Sequence, residues 1–145
     1  VANWKNNFIS EREFLGMFHY TVETKKSMEE IISALEESLK EEQFGVLWQF
    51  NIKETLKNKG FEFEQPYQVL EVCNPKEANN VLTENQLAGY FLPCKIVVYQ
   101  DVETNKTKIG MPKPTALIEM VNDESLNRFA ADIENRLIAC IDKII

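Results

Sequence analysis

The stretch Cys94-Lys95-Ile96-Val97-Val98-Tyr99-Gln100-Asp101, followed by Val102-Glu103-Thr104-Asn105-Lys106 and then Thr107-Lys108-Ile109-Gly110-Met111, decides the fold class. Two runs rich in β-branched residues flank a polar turn at residues 103–106, which is the pattern of an antiparallel hairpin. Pro112 and Pro114 then stop further central pairing, because proline has no N–H to give to a ladder. Upstream, residues 67–73 are apolar on both faces and read as an inner strand, which Asn74-Pro75 breaks. Residues 46–50 read as another strand. In residues 18–24, Phe18, Tyr20 and Val22 alternate with His19, Thr21 and Glu23, the period of a half-buried first strand.

Helical spacing fills the intervals. Ser27 and Glu30 stand as a capping box, and Met28, Ile31, Ile32, Leu35 and Leu39 then form one stripe, which predicts a helix over 28–42 closed by Gly45. A short helix is expected from Asn51 as cap to Gly60 as stop. Ala78, Val81 and Leu82 place a further helix over 76–87, ended at Gly89. The longest stripe, through Leu126, Phe129, Ala130, Ile133, Leu137, Cys140, Ile141 and Ile144, predicts a helix over 123–144 with Asn122 as its cap. The expected fold is therefore α+β. A mostly antiparallel sheet carries two long helices, in the order strand, helix, several strands, helix.

With 145 residues, 44% of them hydrophobic and 27% charged, the chain is sized for a single domain. No repeat or Gly/Ser linker interrupts residues 17–145. Residues 1–16 stand apart as an N-terminal arm, with Ser10 and Glu13 spaced as a capping box and Trp4, Phe8, Phe14 and Leu15 as its apolar side chains. The arm lacks the basic-then-apolar pattern of a secretory leader, so none is expected. Sixteen Lys plus Arg against twenty-three Asp plus Glu leave a charge of −7. That field repels phosphate backbones and anionic lipid, so neither nucleic acid nor membrane is an expected partner. The longest apolar runs, at 96–99 and 137–141, are far shorter than the roughly twenty residues of a membrane helix. Three cysteines, none in a C-x-x-C pair, point to a reducing cytoplasm. The five glycines are isolated, so no phosphate-cradling loop is present and no cofactor is expected.

The chemistry-bearing residues gather at two corners. Cys73 ends one strand and Cys94 begins another, each near a proline. If the strands are antiparallel neighbours, the thiols can sit side by side and bind a soft metal ion or cycle through a disulfide. The alternative is that both are small apolar fillers at crowded strand ends. Glu71 shares strand parity with Cys73 and Tyr67, which could set a carboxylate, a thiol and a phenol on one face. A hydrogen-bonded or exposed strand carboxylate is the competing reading. His19, the only histidine, lies on the outward parity of the first strand with no orienting partner in view. Cys140, in register with Leu137, Ile141 and Ile144, reads as core. The aromatics Trp48, Phe50, Phe61, Phe63, Tyr67, Tyr90 and Phe91 exceed what the stripes need. They either fill the core or mark an open face that holds a ligand or meets a second copy.

The motif Glu71-Val72-Cys73-Asn74-Pro75 with Ala78, together with Gly89-Tyr90-Phe91-Leu92-Pro93-Cys94 before an alternating strand, resembles the bacterial family of unknown function DUF302. The resemblance spans residues 18–143 and includes the Tyr20 strand and the Ser27 helix start. It implies a strand, helix, four strands, helix order similar to the TATA-binding-protein-like (TBP-like) fold, assembled as a homodimer. It brings no established reaction, and the shared fold does not carry DNA binding. The expected function is a small cytoplasmic, homodimeric ligand-binding or interaction module without catalytic activity. Its candidate contact residues are Tyr67, Glu71, Cys73, Asn74 and Cys94, with a small molecule or soft metal ion as ligand. The competing function is a thiol-dependent redox or metal-binding protein built on Cys73 and Cys94.

Overall fold

Alternation of inward and outward side chains along five segments builds one antiparallel sheet, and the computed structural model describes it within residues 16–145. The strands are β1 (His19–Thr24), β2 (Gly45–Asn51), β3 (Tyr67–Cys73), β4 (Cys94–Gln100) and β5 (Thr107–Pro112). Their spatial order is β1-β5-β4-β3-β2, with antiparallel pairing throughout. The expected inner strand at residues 67–73 is flanked by β4 and β2. The hairpin falls where the opening stretch placed it, joining β4 to β5.

Among the described residues, two long helices, α1 (Met28–Glu41) and α5 (Asn127–Asp142), are accompanied by the shorter α2 (Ile52–Asn58), α3 (Pro75–Glu84) and α4 (Pro114–Glu119), and residues 16–18 are helical as well. Single 3₁₀ turns occupy Gln86–Phe91 and Glu124–Leu126. The helices expected at 51–60 and 76–87 are α2 and α3, whereas α4 was not expected, since it buries no residue fully and leaves no clear stripe. The expected run of four strands between two helices is therefore interrupted by α2 and α3. The arm and its capping box at Ser10 and Glu13 lie almost wholly outside the described residues.

Caps follow the sequence at the start of α1 and at both ends of α2, and depart from it at the end of α1 and the start of α5. Ser27 Oγ accepts from the Glu30 N–H at 3.2 Å and starts α1, and Asn51 Oδ1 accepts from the Glu54 N–H at 3.1 Å and starts α2. Gly60, at φ 87°, follows α2, a left-handed conformation that glycine adopts freely. By contrast, the left-handed residue after α1 is Gln43, at φ 64°, and Gly45 lies in β2. Asn122, expected as a cap, is itself left-handed at φ 57°. Asp123 takes the capping role, its Oδ1 accepting from the Ser125 N–H at 3.0 Å, and α5 begins only at Asn127. The 3₁₀ turn keeps Leu126 buried, so the apolar stripe continued through a break in the helix.

Both long helices cover the same face of the sheet. Ile31, Leu35 and Leu39 of α1 and Leu137 and Ile141 of α5 are buried together with Leu70, Val72, Ile96, Val98 and Ile109 of the strands. Full burial of each such side chain is worth about 1.5–3 kcal/mol. Cys140 is buried where α5 meets α1, beside the Ser38 hydroxyl, which donates to the Cys140 carbonyl at 3.0 Å. The Tyr20 hydroxyl donates to Asp142, tying the end of α5 to β1. The Asp142 carboxylate and partial burial push the Tyr20 phenol up to about 12.

Strand alternation gives the opposite face Tyr67, Val69, Glu71 and Cys73 from β3, Val97 and Tyr99 from β4, and Trp48 and Phe50 from β2. Tyr67 and Tyr99 stack there with ring centroids 5.3 Å apart, and Phe63 meets Tyr67 edge-on at 6.3 Å.

Candidate functional site

The corner after β3 is built around Asn74. Its Oδ1 accepts from the N–H groups of Lys76 and Glu77 at 3.1 and 3.2 Å and so caps α3, whose first residue is Pro75. Its Nδ2 donates to the Glu42 carbonyl at 3.3 Å. Arg136 of α5 donates to the same carbonyl at 2.9 Å, pairs with Glu42 and Glu77, and lies over the Phe44 ring. Both polar side-chain atoms of Asn74 thus take part in joining α3 to α1. The structure assigns it a scaffold role in this corner.

The expected site residues are only partly brought together. Tyr67 sits at the start of β3 and Cys73 at its end, about 20 Å apart at the usual rise per residue. Tyr67 belongs instead to the aromatic cluster with Phe63 and Tyr99, where burial and then the neighbouring Tyr99 raise its pKa. Glu71 is paired in register with Lys95 on one side and Trp48 on the other. Cys94 lies opposite Val72, and Cys73 is the next residue along, opposite Gly45. The two cysteine corners adjoin on neighbouring strands, but the register turns Cys94 to the core face with Val72 and Cys73 to the opposite face, so the thiols do not share a face as expected. Their thiols are not activated: burial raises Cys73, and burial together with the nearby Cys73 pushes Cys94 up to about 11. Among the described residues, no group of three or more His, Cys, Asp or Glu side chains is arranged to hold a metal ion.

A cavity of about 450 Å³ opens beside Cys94. Pairing between β4 and β5 runs from Gln100–Thr107 to Val97–Gly110 and stops there. Beyond that point β4 stays with β3 as far as Cys94, while β5 stays with β1 as far as Pro112. The sheet forks, and the cavity occupies the fork. Its strand-side lining includes Cys94, Lys95, Met111 and Pro112. The 3₁₀ turn contributes Tyr90 and Phe91, α4 contributes Leu117 and Ile118, and α5 contributes Ala130 and Ile133. Glu71 and Phe18 complete the rim. Of the five expected site residues, Glu71 and Cys94 line this space.

The sequence reading missed α4 as a wall of the site, because Pro112 and Pro114 were read only as the end of pairing. Pro114 at the first helical position, followed by Thr-Ala-Leu-Ile-Glu, is a helix-start signal that marks it. The carboxylate of Glu134 holds α4 to α5 by accepting from the Thr115 hydroxyl at 2.7 Å and the Thr115 N–H at 3.2 Å.

A five-stranded antiparallel sheet, long helices on one face and a cavity where β4 and β5 part define an α+β protein. The chain belongs to the family described as domain of unknown function DUF302, whose match covers residues 20–144. It is similar to an uncharacterized conserved DUF302 protein from Bacillus stearothermophilus, known from a crystal structure, at 60% identity. That similarity covers 89% of this chain and 99% of the other, with a TM-score of 0.85. Comparison with curated proteins gives no match.

Proposed function

We propose that the protein is a non-catalytic module that binds a small, mostly apolar molecule in the forked cavity. The observation that carries this reading is the cavity itself. Its volume lies in the range of small-molecule sites, and its walls are apolar with a few polar groups at one end, the usual composition of such sites. Cys94 contributes a neutral thiol to the wall at physiological pH, consistent with packing against an apolar ligand. A thiol-dependent redox or soft-metal function would rest on Cys73 and Cys94, and burial raises both thiols rather than lowering them as an activated thiolate needs, so binding is the reading favoured.

The same proposal includes a homodimer in the cytoplasm with a TBP-like sheet. Its support is the sheet face opposite the long helices, where Trp48 is largely exposed beside Phe50, Tyr67 and Tyr99. A large apolar patch of this kind is characteristic of an interface. No helix among the described residues is long and apolar enough to cross a membrane.

The test is binding of the fluorescent apolar probe anilinonaphthalene sulfonate to the folded protein. Saturable enhancement is expected, and Leu117→Trp, which fills the cavity from α4, should remove it. Enhancement that survives Leu117→Trp and also an Ala130→Leu substitution, with both variants folded, would sink the cavity reading. Light scattering at micromolar concentration reads the dimer, and a mass of one chain rejects it.

A further inference from the structure

The fork leaves main-chain polarity facing the cavity. An interior antiparallel strand turns the N–H and C=O of alternate residues toward its two neighbours, so one of the consecutive residues Lys95 and Ile96 turns both groups toward β5. No β5 residue is paired with either of them. On the far side of the fork, Met111 is paired with Tyr20 and Pro112 with His19, and Pro112 has no N–H to offer. One wall of an apolar cavity therefore presents a donor and an acceptor, side by side and fixed by the β3–β4 ladder. An N–H and a C=O that the neighbouring strand does not pair take another partner, which a bound molecule can supply.

Resting on the binding function above, we infer that the ligand is an aliphatic amide: an apolar chain whose amide head bridges the N–H and C=O that β4 leaves unpaired with β5 at the fork. The amide is the head that supplies an acceptor for the N–H and a donor for the C=O, as a neighbouring strand would. The chain then runs beneath α4 and α5, along Leu117, Ile118, Ala130 and Ile133. At about 30 Å³ per water-sized group, 450 Å³ holds on the order of fifteen such groups. A head with a chain of about eight carbons fits within that space. A head of single charge is less suited, because Glu71 and Lys95 bring one charge of each sign to the rim.

The experiment compares octanamide, methyl octanoate and octanoate as competitors for anilinonaphthalene sulfonate on the full chain. Octanamide should displace the probe at a concentration about tenfold lower than methyl octanoate, which accepts but cannot donate. In amide-resolved NMR, octanamide should also shift the Lys95 or Ile96 N–H and slow its exchange, and methyl octanoate should not. Equal potency of the two overturns the amide assignment and leaves the cavity function standing. Octanoate outcompeting octanamide, with the advantage lost in Lys95→Ala, overturns it in favour of charge recognition. If the probe itself does not bind, the failure lies in the cavity function, and the amide assignment falls with it.

Discussion

The two ends of the β4–β5 pair are built on opposite principles. At the hairpin end, Gln100 and Thr107 are paired, the Asp101 N–H donates to the Lys106 carbonyl at 2.9 Å, and the Asn105 N–H donates to the Asp101 carbonyl at 2.9 Å. The Asp101 carboxylate accepts from the Thr104 N–H at 2.9 Å and lies 3.5 Å from the Lys108 ammonium. Backbone polarity there is satisfied within a few residues. At the other end the strands part after Val97–Gly110, and apolar side chains from α4, α5 and the 3₁₀ turn gather around the gap. Adjacent strands hold together where side chains can close the ladder locally, and they part toward Pro112, which has no N–H to give to β4.

The largest expected effect contrasts the sealed core with the cavity wall. Leu35→Ala, at a fully buried site of α1, should cost about 3 kcal/mol in urea unfolding, while Leu117→Ala at the cavity should cost well under half as much. Equal losses would show that the cavity wall is packed as tightly as the core. Next comes the fork's thiol. With Cys94 at about 11, its thiolate fraction at pH 8 is roughly a hundredfold below that of an ordinary thiol, and labelling should accelerate with pH well beyond 9. Fast labelling in the folded protein at pH 8 would mean an open, activated thiol and would revive the redox reading.

At the branching point itself, a Cβ on Gly110 would lie 2.7 Å from Thr21 Oγ1 of β1, so Gly110→Ala should destabilise by about 1–3 kcal/mol. The double variant Gly110→Ala/Thr21→Ala should recover most of that loss; no recovery would place the cost elsewhere than the β1–β5 contact. The smallest effect belongs to the hairpin turn. Hydrogen bonds from Thr104 and the charge of Lys108 hold the Asp101 carboxyl below its usual pKa. Its stabilising contribution is therefore present above about pH 4 and is lost as pH falls through the lowered folded value. Asp101→Asn should flatten the acid side of the stability profile slightly, and an unchanged slope would show the turn is held by its backbone bonds alone.

Much of the fold was legible because its signals are local. Alternation in β1, the two-faced apolar run of β3, the hairpin pattern of β4 and β5, the Ser27 and Asn51 caps and the stripes of α1 and α5 each depend on residues close together in the chain. The departures have equally local causes. Gln43 took the left-handed position expected of Gly45, and Asn122 took a turn conformation rather than a cap, because several nearby residues can fill either role and packing chooses among them. For the site, Glu71 and Cys94 were found as cavity residues. Tyr67 was grouped with Cys73 because strand parity records the face and not the distance along the strand. Asn74 was read as a ligand contact although N-capping before a proline is its most direct use.

Periodicity, capping residues and turn chemistry determined the elements and the class of fold, because each is fixed by short-range sterics and hydrogen bonding. The charge of −7 grounds an expectation against nucleic acid and anionic membranes as partners. Only the tertiary structure decided that β4 and β5 separate, that α4 and α5 roof the gap, and that the N–H and C=O of one β4 residue face it. Those facts depend on which strand each edge meets across the sheet, and pairing between segments some ninety residues apart in the chain, such as β1 with β5, leaves no mark in either segment alone.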